Sequence, residues 1–476
     1  MFIYRILHLS ICIKKTFKNQ LHFKLEHCRI PVAMIYRRSF YICLSVISVK
    51  ELNFMSQQAI SIIVFVVVFI AIMSEKVHRA VAAVAGVVAL IMLGILTIDS
   101  AVEYIDFNTI GVLVGMMLFV AVVKQSGIFE YTAIKAAKLV KGEPWHLMIV
   151  FMIITAVCSA FLDNVTTVLL VGPMTIAITK ILGLNPVPYL MTQILSSNIG
   201  GTGTLIGDPP NIMIGSKAGL SFADFAINTG SICIVIMIVT IFAFKFIYKK
   251  ALIVTPDKMQ AVMELDEKSV IKDAALMKKS IVMILLVALG FVFHSKLGLE
   301  SSIIALTAAT IMILIGRQNV EESIADVEWP TIIFFIALFM VVGGMETTGV
   351  IDQLADMLMS ATGGNMVVAM LIILWGSAVL SAILDNIPFV ATMIPLIISM
   401  GDSGMDVMPL WWALSLGACL GGNGTLIGAS ANVVLSGISN KHGYPITFIQ
   451  YTKLGFPMMI LSVAIAMIYL LIRFAF

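Results

Sequence analysis

Charge is what this sequence has least of. Asp, Glu, Lys and Arg make up 12% of its 476 residues, about half the share carried by soluble chains, which excludes a water-soluble globule. The net charge of +3 hides a strong asymmetry along the chain and by itself says nothing about nucleic acid, and no such partner is expected. Six cysteines occur without a C-x-x-C pair, so neither a disulfide framework nor a zinc site is indicated. The seven histidines are scattered, and no glycine-rich stretch ends in Gly-Lys-Ser/Thr, which removes an ATP-driven engine. No nucleophile, base and orienting group stand together, so the chain is not expected to be an enzyme.

What fills the space is apolar: 60% of residues are hydrophobic, the composition of an all-α polytopic membrane protein. Residues 1–54 are basic, and their apolar runs are shorter than the roughly 20 residues a spanning helix needs. They are either an upstream extension before a natural start at Met55 or a basic cytosolic or interfacial arm. Apolar segments then follow at about 59–73, 80–98, 107–123, 146–162, 165–182, 187–215 and 228–248. A second set occupies about 281–294, 303–316, 329–346, 366–384, 387–400, 408–440 and 454–472. The expected organisation is a basic extension (1–54), a first transmembrane repeat (55–248), a polar cytoplasmic linker (249–279) and a second repeat (280–476).

The two sets are copies. Asn198 to Asn211 reads N-I-G-G-T-G-T-L-I-G-D-P-P-N and Gly421 to Asn432 reads G-G-N-G-T-L-I-G-A-S-A-N, with Thr204 and Thr425 221 residues apart (425 − 204). Thr109 with Thr331, Gly127 with Gly349, and Ser159 with Ser381 match at 222. Such symmetry at half the chain length is a transporter's organisation. Loop charge sets relative orientation: 124–145 carries Lys124, Lys135, Lys138 and Lys141, whereas 347–365 carries no Lys or Arg. With basic loops inside, 74–79, 124–145 and 249–279 are cytoplasmic, and 99–106, 347–365 and 401–407 external, so the repeats have inverted topology.

Two constellations in each repeat carry chemistry. Asp163-Asn164 (with Thr166 beyond) and Asp385-Asn386 interrupt apolar spans long enough for a re-entrant helical hairpin with the pair at its tip. A carboxylate at membrane depth costs several kcal/mol, about 2.5–3.5 or more, unless it is paired, hydrated or protonated; the alternative is an Asp that only caps a helix. The glycine-rich stretches break a transmembrane helix, and unwound backbone is tolerated at that depth where it lines a polar cavity. Asn198, Gly200, Gly201, Thr202, Gly203, Thr204, Asp208 and Asn211 in one repeat, and Gly421, Gly422, Asn423, Gly424, Thr425 and Asn432 in the other, are therefore candidate ion or substrate ligands. The alternative use of these glycines is close helix packing. Cys158 and Cys419 lie beside the motifs as possible soft ligands or as small buried residues.

These blocks, F-L-D-N-V-T-T, the two glycine stretches, L-D-N-I-P-F-V-A-T-M-I-P (384–395) and G-A-C-L (417–420), resemble the signatures of the ion transporter superfamily. Within it the chain is similar to the branch of arsenite permeases, NhaD-type sodium/proton antiporters and the pigmentation-related P protein, to which V-H-R-A (77–80), I-D-F-N-T (105–109) and L-G-F-P-M-M (454–459) also point. The resemblance implies a homodimer whose transport part moves as an elevator against a scaffold. The Ser-Asn-Thr tips of related dicarboxylate transporters fall here on Asp163-Asn164-Val165 and Asp385-Asn386-Ile387, which turns the expectation from carboxylates toward cations. No Arg or Lys is expected inside either site.

The resulting expectation is a secondary ion transporter in the cell's inner membrane, surrounded by lipid. It needs no cofactor beyond Na⁺ or H⁺ as coupling ion, and is a cation/proton antiporter by type. Arsenite or antimonite efflux, a small organic anion such as citrate, and an ion channel are the alternatives.

Overall fold

The computed structural model describes residues 56–74, 76–248, 252–317 and 319–475; the basic extension 1–54 and the expected start at Met55 lie outside the described residues. The chain divides into two compact units, Met1–Ile60 and Ser61–Phe476, and every candidate site residue lies in the second. The described residues form helices and no strand.

In chain order the first set is α1 (Gln57–Met73), α2 (Arg79–Met92), α3 (Ile98–Glu103), α4 (Phe107–Lys124), α5 (Ile128–Leu139), α6 (Pro144–Phe161), α7 (Asn164–Ile181), α8 (Val187–Thr202), α9 (Pro209–Ala218) and α10 (Phe222–Tyr248). After α11 (Pro256–Met263) come α12 (Ala274–Phe293), α13 (Ser301–Gly316), α14 (Val320–Ala325), α15 (Trp329–Thr347), α16 (Val350–Thr362), α17 (Met366–Ile383), α18 (Asn386–Asp402), α19 (Met408–Gly421), α20 (Ser430–Lys441) and α21 (Phe448–Phe474). From α2 to α7 each helix starts 222 residues before its mate in the series α13 to α18 (301 − 79). The repeat read from motifs therefore extends to every element between them. Eight of the described helices are long and apolar enough to cross a membrane.

Local chemistry sets the boundaries. Asp106 caps α4 by accepting from the backbone N–H groups of Asn108 and Thr109, Asp273 caps α12 in the same way, and Pro follows the cap of α6, α8 and α9, where its missing N–H costs nothing. Because of such caps, α12 begins at Ala274 within the stretch read as linker, and α21 begins at Phe448, before its apolar run. The loops 124–145 and 347–365 are not plain loops: each holds a helix, α5 and α16, entered through left-handed Gly127 and Gly349. Their amphipathic sequences are too polar to register as spans.

The halves interlock. Helix α2 packs on α15 and α4 on α13, and each of these pairs joins one half to the other. A Cβ at Gly115 would stand 2.6 Å from the Ala305 backbone carbonyl carbon, so α4 and α13 touch backbone to backbone through small residues. Beside this layer lie the hairpins α6–α7 and α17–α18. Each hairpin's first arm runs along the leading arm of its own broken helix, α6 on α8 and α17 on α19, while its second arm packs on the trailing arm of the other half, α7 on α20 and α18 on α9.

Candidate functional site

Four helix N-termini converge as a result: those of α7, α9, α18 and α20. Asp163, Asp208, Asp385 and Ala429 occupy their N-cap positions. A cavity of about 20 Å³, room for about one water molecule, is lined from this side by Asp163, Asn164, Asp208, Asn386 and Ser430. The packed layer opposite contributes Arg79, Leu113, Met117, Glu328 and Thr331.

The three aspartates are held differently. Asp163 accepts the Thr166 backbone N–H at 2.8 Å, and its other oxygen accepts the Thr166 hydroxyl. Asp385 accepts the Ile387 N–H at 3.3 Å and the Ser430 hydroxyl at 3.0 Å, and takes an Arg79 guanidinium N–H at 3.2 Å. Asp208 makes no cap bond. It is 1% exposed, and its two oxygens share the Asn386 side-chain amide at 3.3 Å each. Capping and exposure to the cavity thus coexist in Asp163, whereas Asp208 is the carboxylate with the fewest local donors.

Arg79 overturns the expectation that no basic residue enters the site. Helix α2 has 14 residues, about 21 Å at 1.5 Å per residue, too short for a hydrocarbon core of about 30 Å. Its first residue, assigned from the sequence to the basic loop 74–79, stands instead against the second hairpin tip. There Nη1 donates to Asp385 and to Ser430 Oγ (2.8 Å), Nη2 donates to Thr331 Oγ1 (3.0 Å), and the guanidinium lies over Phe334, 5.3 Å from the ring centroid. The Thr331 hydroxyl in turn donates to Glu328 at 3.1 Å. Arg79, Glu328 and Thr331 were missed as site residues; V-H-R-A (77–80) and the match of Thr331 with Thr109 marked two of them, but only as resemblance and repeat.

The broken helices use most of their polar groups on themselves. The Asn211 side-chain amide donates to the carbonyls of Gly201, Thr202 and Thr204, and that of Asn432 to Gly422 and Thr425. The Thr202, Thr204 and Thr425 hydroxyls cap the carbonyls of Asn198, Ala160 and Ala382. These residues satisfy the backbone that the break exposes. Gly200 and Gly421 serve packing: a Cβ would lie 2.2 Å from the Ala156 carbonyl oxygen and 2.6 Å from that of Ala378. Gly201 abuts Gly207, Gly422 abuts Gly428, and Gly203 and Gly424 lie within the breaks. Below the tips, Asn198 donates to Asn423 (2.9 Å) and Asn432 (3.0 Å) and accepts from Asn164 (3.4 Å), joining the halves through amides. Among the described residues the Asn423 Nδ2 has no protein partner. Cys419 donates weakly to Asn211 Oδ1 at 3.5 Å, and no group of three or more His, Cys, Asp or Glu that could hold a metal occurs among the described residues.

Two larger cavities flank the site. One, about 310 Å³, is lined by Phe69, Ile72, Val77, His78, Arg79, Asp385, Ser430 and Val433. The other, about 290 Å³, is lined by Asn108, Ile212, Ser216, Ser221, His294, Leu299, Glu300 and Ser301. Ile72 and His294, Val77 and Leu299, His78 and Glu300, and Arg79 and Ser301 are mates at 222 (294 − 72), so one vestibule is built twice. The first reaches a tip aspartate and the second does not. Phe161, two residues before Asp163, stacks on Phe222 (6.2 Å between centroids), which stacks on Phe291 (6.3 Å). Phe222 is 5% exposed, while Phe448, which likewise opens the last helix of its half, is 45% exposed.

Comparison with known proteins fits this arrangement. The sequence model for citrate transporters matches residues 69–417. The chain belongs to the citrate transporter family. This transporter is also 41% identical over 424 residues to an uncharacterized transporter of Mycobacterium tuberculosis, covering 87% of this chain and 98% of that one. It is 33% identical over 502 residues to the P protein of Homo sapiens, covering 88% of this chain and 60% of that one. In fold the transporter matches the crystal structure of the Alcanivorax borkumensis YdaH transporter, with a TM-score of 0.58 at 14% identity, over 79% of this chain and 88% of that one. It is a multi-pass integral membrane transporter.

Proposed function

We propose that this transporter moves its substrate by secondary active transport across the cell membrane, coupled to H⁺ or Na⁺ in the manner of a cation/proton antiporter. The observation that carries this is the charge of the site. Asp163, Asp208 and Glu328 line a cavity whose one guanidinium, Arg79, is already engaged by Asp385. Carboxylates in excess of cations at membrane depth call for a proton or a bound cation, since an uncompensated charge there costs several kcal/mol, about 2.5–3.5 or more. Three of the four converging helix N-termini, whose partial positive charge would otherwise attract an anion, are occupied by the protein's own aspartates. Asp163, Asp208 and Asp385 are the ion-carrying groups in this reading. Asn164, Asn198, Asn386 and Asn423 are the neutral ligands that adapt to either occupancy. The interlocked layer containing α2, α4, α13 and α15 is the scaffold of an inverted-repeat homodimer, and the hairpins with their broken helices are the elevator.

A second reading is supported by the family's description and by the fourth N-terminus. Helix α20 has Ala429 at its N-cap in place of an acid, and Ser430 and Arg79 meet there. A small carboxylate such as citrate would be bound at that end, accompanied by the cation that the aspartates require.

The test is proton movement in reconstituted vesicles carrying a lumenal pH dye, after pulses of NaCl, LiCl, arsenite or citrate, for the wild type and for Asp163→Asn combined with Asp385→Asn. The expected outcome is a Na⁺- or Li⁺-triggered pH change that the double variant loses. Silence to both cations with a response to citrate would move the assignment to organic-anion transport, and a response to arsenite alone to metalloid efflux.

A further inference from the structure

The two tips differ in one feature that neither the fold nor the family description accounts for: among the described residues, only the second is paired with a cation. The mate of Arg79 is Ser301, and the mate of Asp385, Asp163, has Thr166 where Asp385 has a guanidinium. Arg79 does not belong to the hairpin it neutralises. It stands on α2, in the interlocked layer, and joins the second hairpin (Asp385) and the second broken helix (Ser430) to that layer through Thr331 of α15. It also lines both the small cavity and the larger vestibule, so it lies between the open path and the site.

We propose that Arg79 is a tethered stand-in for the coupling cation at Asp385, so that the mobile cation binds there by displacing Arg79 and thereby frees the second hairpin from α15. This rests on the cation-coupled reading and deepens it. A guanidinium and a small monovalent cation compete for the same carboxylate oxygens, and the tether has the advantage of high local concentration. When it leaves, its N–H groups lose Asp385 and Ser430 together, and the tip loses its hydrogen-bonded link to Thr331 of the packed layer. Asp163, paired with no cation among the described residues, accepts the mobile ion without such a step. Arg79 is thus a positioning residue that sets apparent cation affinity at one tip and couples loading to movement. The titratable groups facing it are Asp385, Glu328 through Thr331, His78 beside it on the chain, and Asp163 and Asp208 across the cavity.

The experiment compares wild type, Arg79→Gln and Arg79→Lys in vesicles, titrating NaCl and LiCl at fixed pH and, separately, pH without either salt. Removing the competitor is expected to lower the half-saturating concentration of the active cation about tenfold (~1.4 kcal/mol) while reducing maximal rate, with Arg79→Lys between the two. An unchanged half-saturation with only the rate reduced would overturn the proposal and leave Arg79 a structural residue. A rise in half-saturation for citrate that Arg79→Lys reverses would overturn it in favour of direct anion binding. Melting of the purified protein separates this from the coupling itself. If no cation drives flux in the wild type, the coupled reading fails, but the tether still requires Arg79→Gln/Asp385→Asn to melt higher than Arg79→Gln alone. Equal or lower melting would refute the tether.

Discussion

The two halves of this transporter are the same chain twice, and their differences are more instructive than their likeness. Around the second tip, the vestibule is open to Asp385, the aspartate is paired with Arg79, and the break that follows carries Ala429 at its N-cap. Around the first, the vestibule does not reach Asp163, near which Phe161, Phe222 and Phe291 stack, the aspartate is capped by its own Thr166, and the break carries Asp208. Charge has been redistributed between mates: the first half carries both the cation that pairs with the second tip, Arg79, and a further acid, Asp208, whose mates are Ser301 and Ala429. In the proposed reading, a site built by symmetric repeats but charged asymmetrically separates its tasks, with the ion held at the first tip and the mechanical link at the second.

Asp208 tests this division most severely. Asp208→Asn keeps the shape but removes the charge with the fewest local donors, and coupled flux is expected to fall 100-fold or more in the vesicle assay while the protein still folds. Retention of coupling would return the ion to the tips. Next, Asp163→Asn should weaken cation affinity by roughly tenfold more than Asp385→Asn does, because Asp385 is already neutralised. Equal effects would erase the comparison. The vestibules are compared by sidedness: Ile383→Cys should react with a membrane-impermeant thiol reagent from the face of the 74–79 loop, severalfold faster than its mate Phe161→Cys reacts from the opposite face. Reaction of both from both faces would mean the aromatic layer closes nothing.

Smaller effects concern packing and the surface. Gly200→Ala and Gly421→Ala each drive a Cβ into a hairpin backbone, and a loss of about 1–3 kcal/mol in stability is expected for each, larger at Gly200, where the approach is closer. The smallest effect lies at Glu267, whose carboxyl is held below the usual range first by the Lys138 side-chain hydrogen bond. Because that pKa is lowered on folding, its contribution is present above the unfolded value of about 4.3 and fades as pH falls through the folded one. Lys138→Ala should therefore slightly flatten the acid-side decline of the melting temperature, measured between pH 6 and 3 on the order of one unit at a time.

Much of this was legible in the chain itself. Hairpin tips at Asp163 and Asp385 could be placed because a charged pair within a long apolar run leaves the backbone one economical solution, two antiparallel helices. The breaks could be placed because glycine and proline cannot continue a helix there, and the repeat because mates recur at nearly constant spacing. Helices α5 and α16 were not legible, since their amphipathic patterns sit in stretches that hydropathy classes as loops. Nor was the use of Asn211 and Asn432, whose amides serve carbonyls seven to ten residues back and not the cavity.

The sequence by itself determined a helical, membrane-spanning, internally repeated transporter, since apolar run length, glycine breaks and repeat spacing are local or periodic properties that backbone chemistry translates directly. Only the tertiary structure decided the charge of the site. Arg79 and Asp385 are separated by 306 residues and Asn386 and Asp208 by 178. Whether such groups meet depends on how two hairpins and two broken helices pack across the halves, which no pattern within a single segment encodes.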